Sequence, residues 1–159
     1  MAFLTQMELP YVTITLRGSP RGKGRPRFRV VKPRGRPQFV TTYTDADTVE
    51  YEARLAIVGR LAMRGLAVLD EPLAVGIEAL MPIPESWSKA KRALAIEGDL
   101  LPASGIDNDN IIKIAQDSLN KIVWRDDALI VSWSGIKLYS LQPMLTVRVW
   151  RFENRGTLL

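Results

Sequence analysis

The chain has no histidine and no cysteine among its 159 residues. Without cysteine there is no disulfide, no thiolate nucleophile and no zinc ribbon. Without histidine it lacks both the usual neutral-pH general base and the usual transition-metal ligand. Any bound metal must therefore sit among oxygen donors. Carboxylate-rich oxygen sites suit Mg²⁺ or Mn²⁺, ions that commonly work on phosphates. No apolar run reaches the length of a membrane span. The segment Met1 to Glu8 lacks the charged start and apolar stretch of a signal peptide. A cytoplasmic protein without a membrane partner is expected. Acidic residues have their own gap, with none between Glu8 and Asp45.

That gap is filled with positive charge. Nine basic residues fall between Arg17 and Arg36: Arg17, Arg21, Lys23, Arg25, Arg27, Arg29, Lys32, Arg34 and Arg36. The whole chain carries +5, and setting those nine aside leaves 13 basic against 17 acidic residues. The positive charge is thus a local device on a mildly acidic body. A segment of this kind, 17–37, is an electrostatic footprint for a polyanion, with a solvated loop as the plain alternative. From it the expected nucleic-acid contacts are Arg21, Lys23, Arg25, Arg27, Arg29, Lys32, Arg34 and Arg36.

Hydrophobic residues make up 47% of the chain, enough for the core of a single domain spanning 1–159. Tyr11 to Arg17 alternates and is rich in β-branched residues, which predicts a strand. Gly18 to Pro37 is broken by glycine and proline and predicts a loop or loose hairpin, followed by a short strand at Gln38 to Tyr43. Thr44 is the expected N-cap of a helix running to about Arg64, with Val49, Ala53, Ala56, Ile57 and Leu61 as its buried face. Leu73 to Met81 predicts a strand and Ser88 the cap of a short helix. A second main helix is expected from Asp109 or Asn110 to about Val123, with Ile111, Ile112, Ala115, Leu119, Ile122 and Val123 inward. Leu129 to Trp133 and Met144 to Phe152 predict closing strands, and the last seven residues are expected to be loose. No internal repeat or low-complexity tract is present. Clustered as well as alternating strands favour α+β, a single domain with a mixed sheet packed against two main helices.

The chemistry concentrates in 107–127. Asp107-Asn-Asp-Asn110 opens the second main helix, Lys113 follows one turn on, and Asp126-Asp127 come after it. Asp107 and Asp109, two apart in an extended approach, present carboxylates to one side. Asn110 adds an amide. Asp127 can return beside the helix start only if a strand runs back along the helix. Lys113, near a phosphate, neutralises developing charge or orients water. Carboxylates in this number hold one or two Mg²⁺ ions with water positions left open, the arrangement phosphodiester cleavage requires. Each residue alone also has a plain reading: a helix cap, a surface ion pair, a turn. An Asp-x-Asp also begins calcium loops, but Asn110 and Ile112 do not continue that pattern.

Taken together, Asp107-Asn-Asp-Asn-Ile-Ile-Lys113, Asp117-Ser-Leu-Asn120 and Val123-Trp-Arg-Asp-Asp127 resemble the core of the RusA-type Holliday-junction resolvases. Gly22-Lys-Gly-Arg-Pro-Arg-Phe28, Tyr43-Thr44 and Pro84-Glu-Ser-Trp-Ser-Lys89 are similar to the longer members found in phages and prophages. The resemblance implies an α+β homodimer that binds four-way or branched DNA and nicks two opposing strands with Mg²⁺, Mn²⁺ being a possible substitute, and with no small-molecule cofactor. It matches Asp107, Asp109 and Asp127 to the catalytic metal-binding acids, Lys113 to the essential lysine and Asp126 to the other half of the acidic pair. Where the family often has Lys-Pro before the first aspartate, this chain has Gly105-Ile106, which removes a cation beside the site. A two-fold dimer suits a junction of near two-fold symmetry. The basic segment then contacts phosphates without reading sequence, and Phe28, Phe39 or Trp87 is a candidate to stack at the branch point. Two other readings stay open: a non-catalytic nucleic-acid-binding module, and a metal-dependent nuclease for another branched DNA or for RNA.

Overall fold

A computed structural model describes residues 9–25 and 27–152, and for Arg27 the backbone only. The expectations for Met1 to Glu8 and for the last seven residues lie outside the described residues. Six strands and three helices are described: β1 Val12–Arg17, β2 Arg27–Val31, β3 Phe39–Tyr43, α1 Ala46–Ala62, β4 Leu73–Pro82, α2 Lys89–Glu97, α3 Asn108–Leu119, β5 Ile130–Ser140 and β6 Met144–Arg151. The main sheet has the order β1-β6-β4-β5. β6 runs antiparallel to both β1 and β4, and β5 runs parallel to β4. This is the expected α+β domain with a mixed sheet.

Alternation sets the layers. Val12, Ile14 and Leu16 of β1 point inward and its threonines outward. Ile14 stands opposite Val147, and Val147 opposite Ile77, so one apolar row crosses three strands. Tyr51 and Leu55 of α1 and Ile111, Ile114, Ala115 and Leu119 of α3 join these residues in one core. Each such aliphatic side chain, fully buried, contributes about 1.5–3 kcal/mol.

Four expectations need correction. The N-cap of α1 is Asp45, one residue after Thr44; its carboxylate accepts from the Thr48 amide at 3.0 Å and the Thr48 hydroxyl at 2.7 Å. The buried face of α1 is Thr48, Tyr51, Leu55 and Gly59, while Val49, Ile57 and Leu61 are about half exposed. Gly59 explains the choice: a Cβ there would lie 2.6 Å from Leu119 Cδ2, so only the face carrying glycine lets α3 approach this closely. Helix α3 stops at Leu119 because Asn120 is extended and Lys121 turns left-handed, with φ 64°. Ile122 and Val123 therefore belong to the following turn. That turn is stitched to the segment before β4 by Leu69 N–H to Val123 O and Arg125 N–H to Leu69 O, both 2.9 Å. Finally, β5 continues past Trp133 to Ser140 and runs back alongside α3.

Candidate active site

Asp107 occupies the N-cap position of α3, yet its side chain makes no capping hydrogen bond. Asp109 sits exposed in the first turn. A carboxylate at this end of a helix is favoured by the dipole, so both anions are stable there without a neutralising cation. Among the described residues, Asp107, Asp109, Lys113 and Asp127 have no hydrogen-bond or ion-pair partner for their side chains. Asp126 differs: its carboxylate accepts from the Ala128 amide at 2.9 Å and caps the single 3₁₀ turn Asp127–Leu129.

The opposite wall of the site is the start of the basic segment. Arg21, Gly22 and Lys23 face Gly105, Ile106, Asp107 and Asn110 across an open cleft of about 340 Å³. Close packing requires the glycines. A Cβ on Gly22 would fall 2.5 Å from Ile106 Cγ2 and 2.9 Å from Asn110 Cβ; one on Gly24 would fall 2.5 Å from Asp45 Oδ2. The Gly22-Lys23-Gly24 strip is thus wedged between the starts of α1 and α3. The Lys23 amide donates to Asn110 O at 2.8 Å.

The ammonium of Lys23 joins those helices electrostatically, pairing with Glu52 of α1 and, at 2.8 Å, with Asp117 of α3. Burial works against its charge, but hydrogen bonds and attraction to Asp117 and Glu52 more than offset that and raise its pKa above the ordinary 10.5. Arg21 pairs with Asp47 at 3.1 Å and reaches Asp45 at 4.0 Å. Of the cations proposed for nucleic acid, Arg21 and Lys23 are therefore engaged with protein carboxylates. Arg25, Arg29, Lys32, Arg34 and Arg36 are exposed, and the side chain of Arg27 lies outside the described residues.

Most of that exposed charge rides on a β2–β3 hairpin that forms its own two-stranded sheet. Phe28 is 75% exposed and Phe39 53%. An isolated two-stranded ribbon gains little stability in water, and these exposed aromatic and basic side chains add little to the packing of the fold. Trp87 is otherwise occupied, edge-on to Tyr139 with Lys91 3.9 Å above its ring. Lys137, which the sequence reading passed over, extends from β5 and donates to Ile106 O at 2.8 Å, beside Asp107.

The donors fit a metal only in part. Mg²⁺ is often held by one or two carboxylates plus waters and substrate phosphate, and the uncommitted Asp107 and Asp109 match that pattern. Asp127 does not join them within one chain. It follows the far end of α3, a helix about 18 Å long. The strand that runs back brings Lys137, not Asp127, to the helix start. Among the described residues no group of three or more acidic side chains is close enough to share an ion.

A family model described as Endodeoxyribonuclease RusA matches residues 17–150. The chain is also 28% identical over 140 residues to an uncharacterized protein, YqaN, of Bacillus subtilis (strain 168), an alignment covering 87% of this chain and 94% of that protein.

Proposed function

The chain belongs to the RusA endodeoxyribonuclease family, and from that premise we propose that it is an Mg²⁺-dependent, structure-selective endonuclease that resolves four-way DNA junctions as a homodimer. One observation supports the reading above the others: the uncommitted carboxylate of Asp107 stands across a cleft from a basic segment whose outer part is exposed, with the uncommitted Asp109 two residues on in the first turn of α3. Mg²⁺ at those carboxylates, with Mn²⁺ as substitute, supplies charge neutralisation at a phosphate and a more acidic water. Lys113, on the exposed side of α3, is the residue to neutralise charge on the phosphate. Arg25, Arg29, Lys32, Arg34 and Arg36 hold backbone phosphates and position the arms. Phe28 or Phe39 stacks against an unpaired base at the branch point; base stacking on an aromatic contributes about 1–3 kcal/mol. The test is cleavage of a mobile four-way junction against matched duplex, with and without Mg²⁺. Equal cutting of duplex and junction refutes the structure selectivity.

A second reading, a binding module without catalysis, is favoured by the lack of a three-acid group within one chain. It requires junction binding with no nicking in either Mg²⁺ or Mn²⁺.

A further inference from the structure

A second group of cations lies apart from the hairpin. α2 opens with Lys89-Ala-Lys91-Arg92 and has no acid in its first turn. The helix dipole disfavours positive charge at this end, so the placement works against folding. Arg92 has a structural use: it donates to Pro84 O at 3.3 Å and ties the helix to the turn before it. Lys91 is seated on an aromatic ring, its Nζ 3.9 Å above Trp87. Lys89 has neither compensation. Both lysines are exposed, and among the described residues neither makes an ion pair. Glu85, the nearest acid in the sequence, is exposed and equally unpaired.

The topology puts these lysines on the opposite flank of Asp107 from the hairpin. β1 and β5 are the two edges of the main sheet. α1 packs on β1, α2 on β5, and α3 against both α1 and β5. The Gly22-Lys23-Gly24 strip and the hairpin that follows it lie on the α1 side of the α3 start. On the β5 side the link is short. Lys137 and Tyr139 leave one face of β5 two residues apart, about 7 Å along a strand. Lys137 donates to Ile106 O at 2.8 Å, and Tyr139 meets the Trp87 ring with centroids 5.2 Å apart. From Asp107 toward this sheet edge the order is therefore Lys137, Tyr139, Trp87 and Lys91, with Lys89 at the start of the same helix.

We propose that α2 is a second backbone contact for the nucleic acid, on the side of the acidic mouth away from the hairpin, with Lys89 and Lys91 holding phosphates of the strand that crosses Asp107. Trp87 serves by seating Lys91 and by fixing α2 on Tyr139, not by stacking on a base. A strand held on one side of the acidic mouth is free to swing; held on both, it is fixed across it, and fixed geometry lowers the barrier to a reaction at that point. Lysine contacts to phosphate position the strand without reading its sequence. This rests on the nucleic-acid reading of the domain and requires neither cleavage nor a bound metal.

Fluorescence anisotropy of a labelled four-way junction, without divalent metal so that nothing is cut, measures the contact. Lys89→Gln with Lys91→Gln lowers the slope of log Kd against log salt by about 2 and weakens binding roughly tenfold to a hundredfold near 0.1 M salt. Arg60→Gln with Arg64→Gln removes the same charge from exposed positions at the far end of α1 and leaves the slope as in wild type. An unchanged slope in the α2 variant, or an equal fall in the α1 variant, overturns the proposal. Lys89→Gln alone leaves Tm unchanged or up to about 2 °C higher, since a cation has left the positive end of a helix; a lower Tm accompanying the lost binding marks a folding role and overturns it too. Position is read separately. The chain has no cysteine, so Arg29→Cys, Asp109→Cys and Lys89→Cys each carry one photo-cross-linker. On the junction strands the Asp109 position maps between the other two; Arg29 and Lys89 on the same side of it overturn the path. If wild type binds no branched DNA, this contact and the nucleic-acid reading fall together. If it binds but nicks nothing, only the nuclease reading fails, and the salt slope and the cross-links still decide the role of α2.

Discussion

Replacing Lys23 by methionine asks whether this lysine holds DNA or holds the protein. The structure says that its ammonium lies between Glu52 and Asp117, with side-chain exposures of 22%, 24% and 37% for the three groups. Exposed ion pairs contribute about 0.2–1 kcal/mol each. A shared, partly sheltered pair sits toward the upper end, and its removal leaves two carboxylates facing each other. A loss of about 1–2 kcal/mol follows, or roughly 3–6 °C in Tm for a domain of this size. The backbone bond from Lys23 to Asn110 survives, so the fold is kept. Adding Asp117→Asn to Lys23→Met restores part of the loss, because the repulsion is relieved. Since the lysine charge is already balanced, the slope of log Kd for a four-way junction against log salt stays unchanged in Lys23→Met. A flattened slope with no change in Tm refutes the clamp and returns Lys23 to the phosphate contacts.

Other expectations follow from the same geometry. Neutralising Arg25, Arg29 and Arg34 together leaves Tm within about 1 °C, since exposed substitutions away from special features are nearly neutral, but lowers the salt slope by about 2–3, one counterion per lost phosphate contact; an unchanged slope removes the hairpin from the interface. Asp109→Asn abolishes nicking in gel assays, while junction binding in a mobility shift persists; wild-type cutting by this variant refutes the site assignment. Tyr51, 4% exposed, has its pKa pushed up from 10.0 to about 12 by burial; the Arg21 backbone amide favours the phenolate, but no hydrogen bond of ordinary geometry reaches the hydroxyl. The unfolded phenol ionises first, so stability falls as pH rises from 10 to 12, by about 2–3 kcal/mol. Tyr51→Phe should flatten that alkaline loss in urea titrations. Lys23 acts in the same direction: with its pKa raised above 10.5, its contribution is complete below that pH and is lost only above it.

The strands that face the core were readable because alternation leaves no choice of face: Val12, Ile14 and Leu16 have only one apolar side to offer. α1 was different. Its sequence carries an apolar stripe on each of two faces, and hydrophobic spacing cannot rank them. Gly59 decides, by how near Leu119 can come, and that is a property of the partner helix. β5 was cut short at Trp133 because Ser134 and Gly135 interrupt the pattern, and Lys137 was lost with it. Asp107 and Asp109 were legible because they are adjacent in sequence to the helix they open. The place of Asp127 was not, since it depends on the direction in which β5 leaves the turn. Nor does counting basic residues distinguish an arginine facing solvent from a lysine already held between two carboxylates.

That last distinction bears on how a basic segment can lie beside an acidic site at all. Left unconstrained, Arg21 and Lys23 face Asp107 across the cleft and could pair with it, and a neutralised site would have little attraction for a divalent ion. Instead Arg21 is taken up by Asp47 and Asp45, and Lys23 by Glu52 and Asp117. These acids lie on α1 and on a later turn of α3, behind the carboxylates that open α3. The glycines on either side of Lys23 hold the segment close enough for those pairs to form. The result is a wall of satisfied cations beside unsatisfied anions, with Lys113 one turn along α3 and the exposed arginines out on the hairpin. The proposed metal ion at α3 would then meet unpaired carboxylates, and a proposed polyanion would meet the exposed cations of the hairpin. Removing the acids behind the wall, for example with Glu52→Gln and Asp117→Asn together, frees Lys23 to compete for Asp107 and Asp109. Mn²⁺ affinity at the site should then fall although no carboxylate at the mouth of the cleft has been touched, and titration calorimetry against wild type measures it; unchanged affinity would show that Lys23 does not reach across even when released.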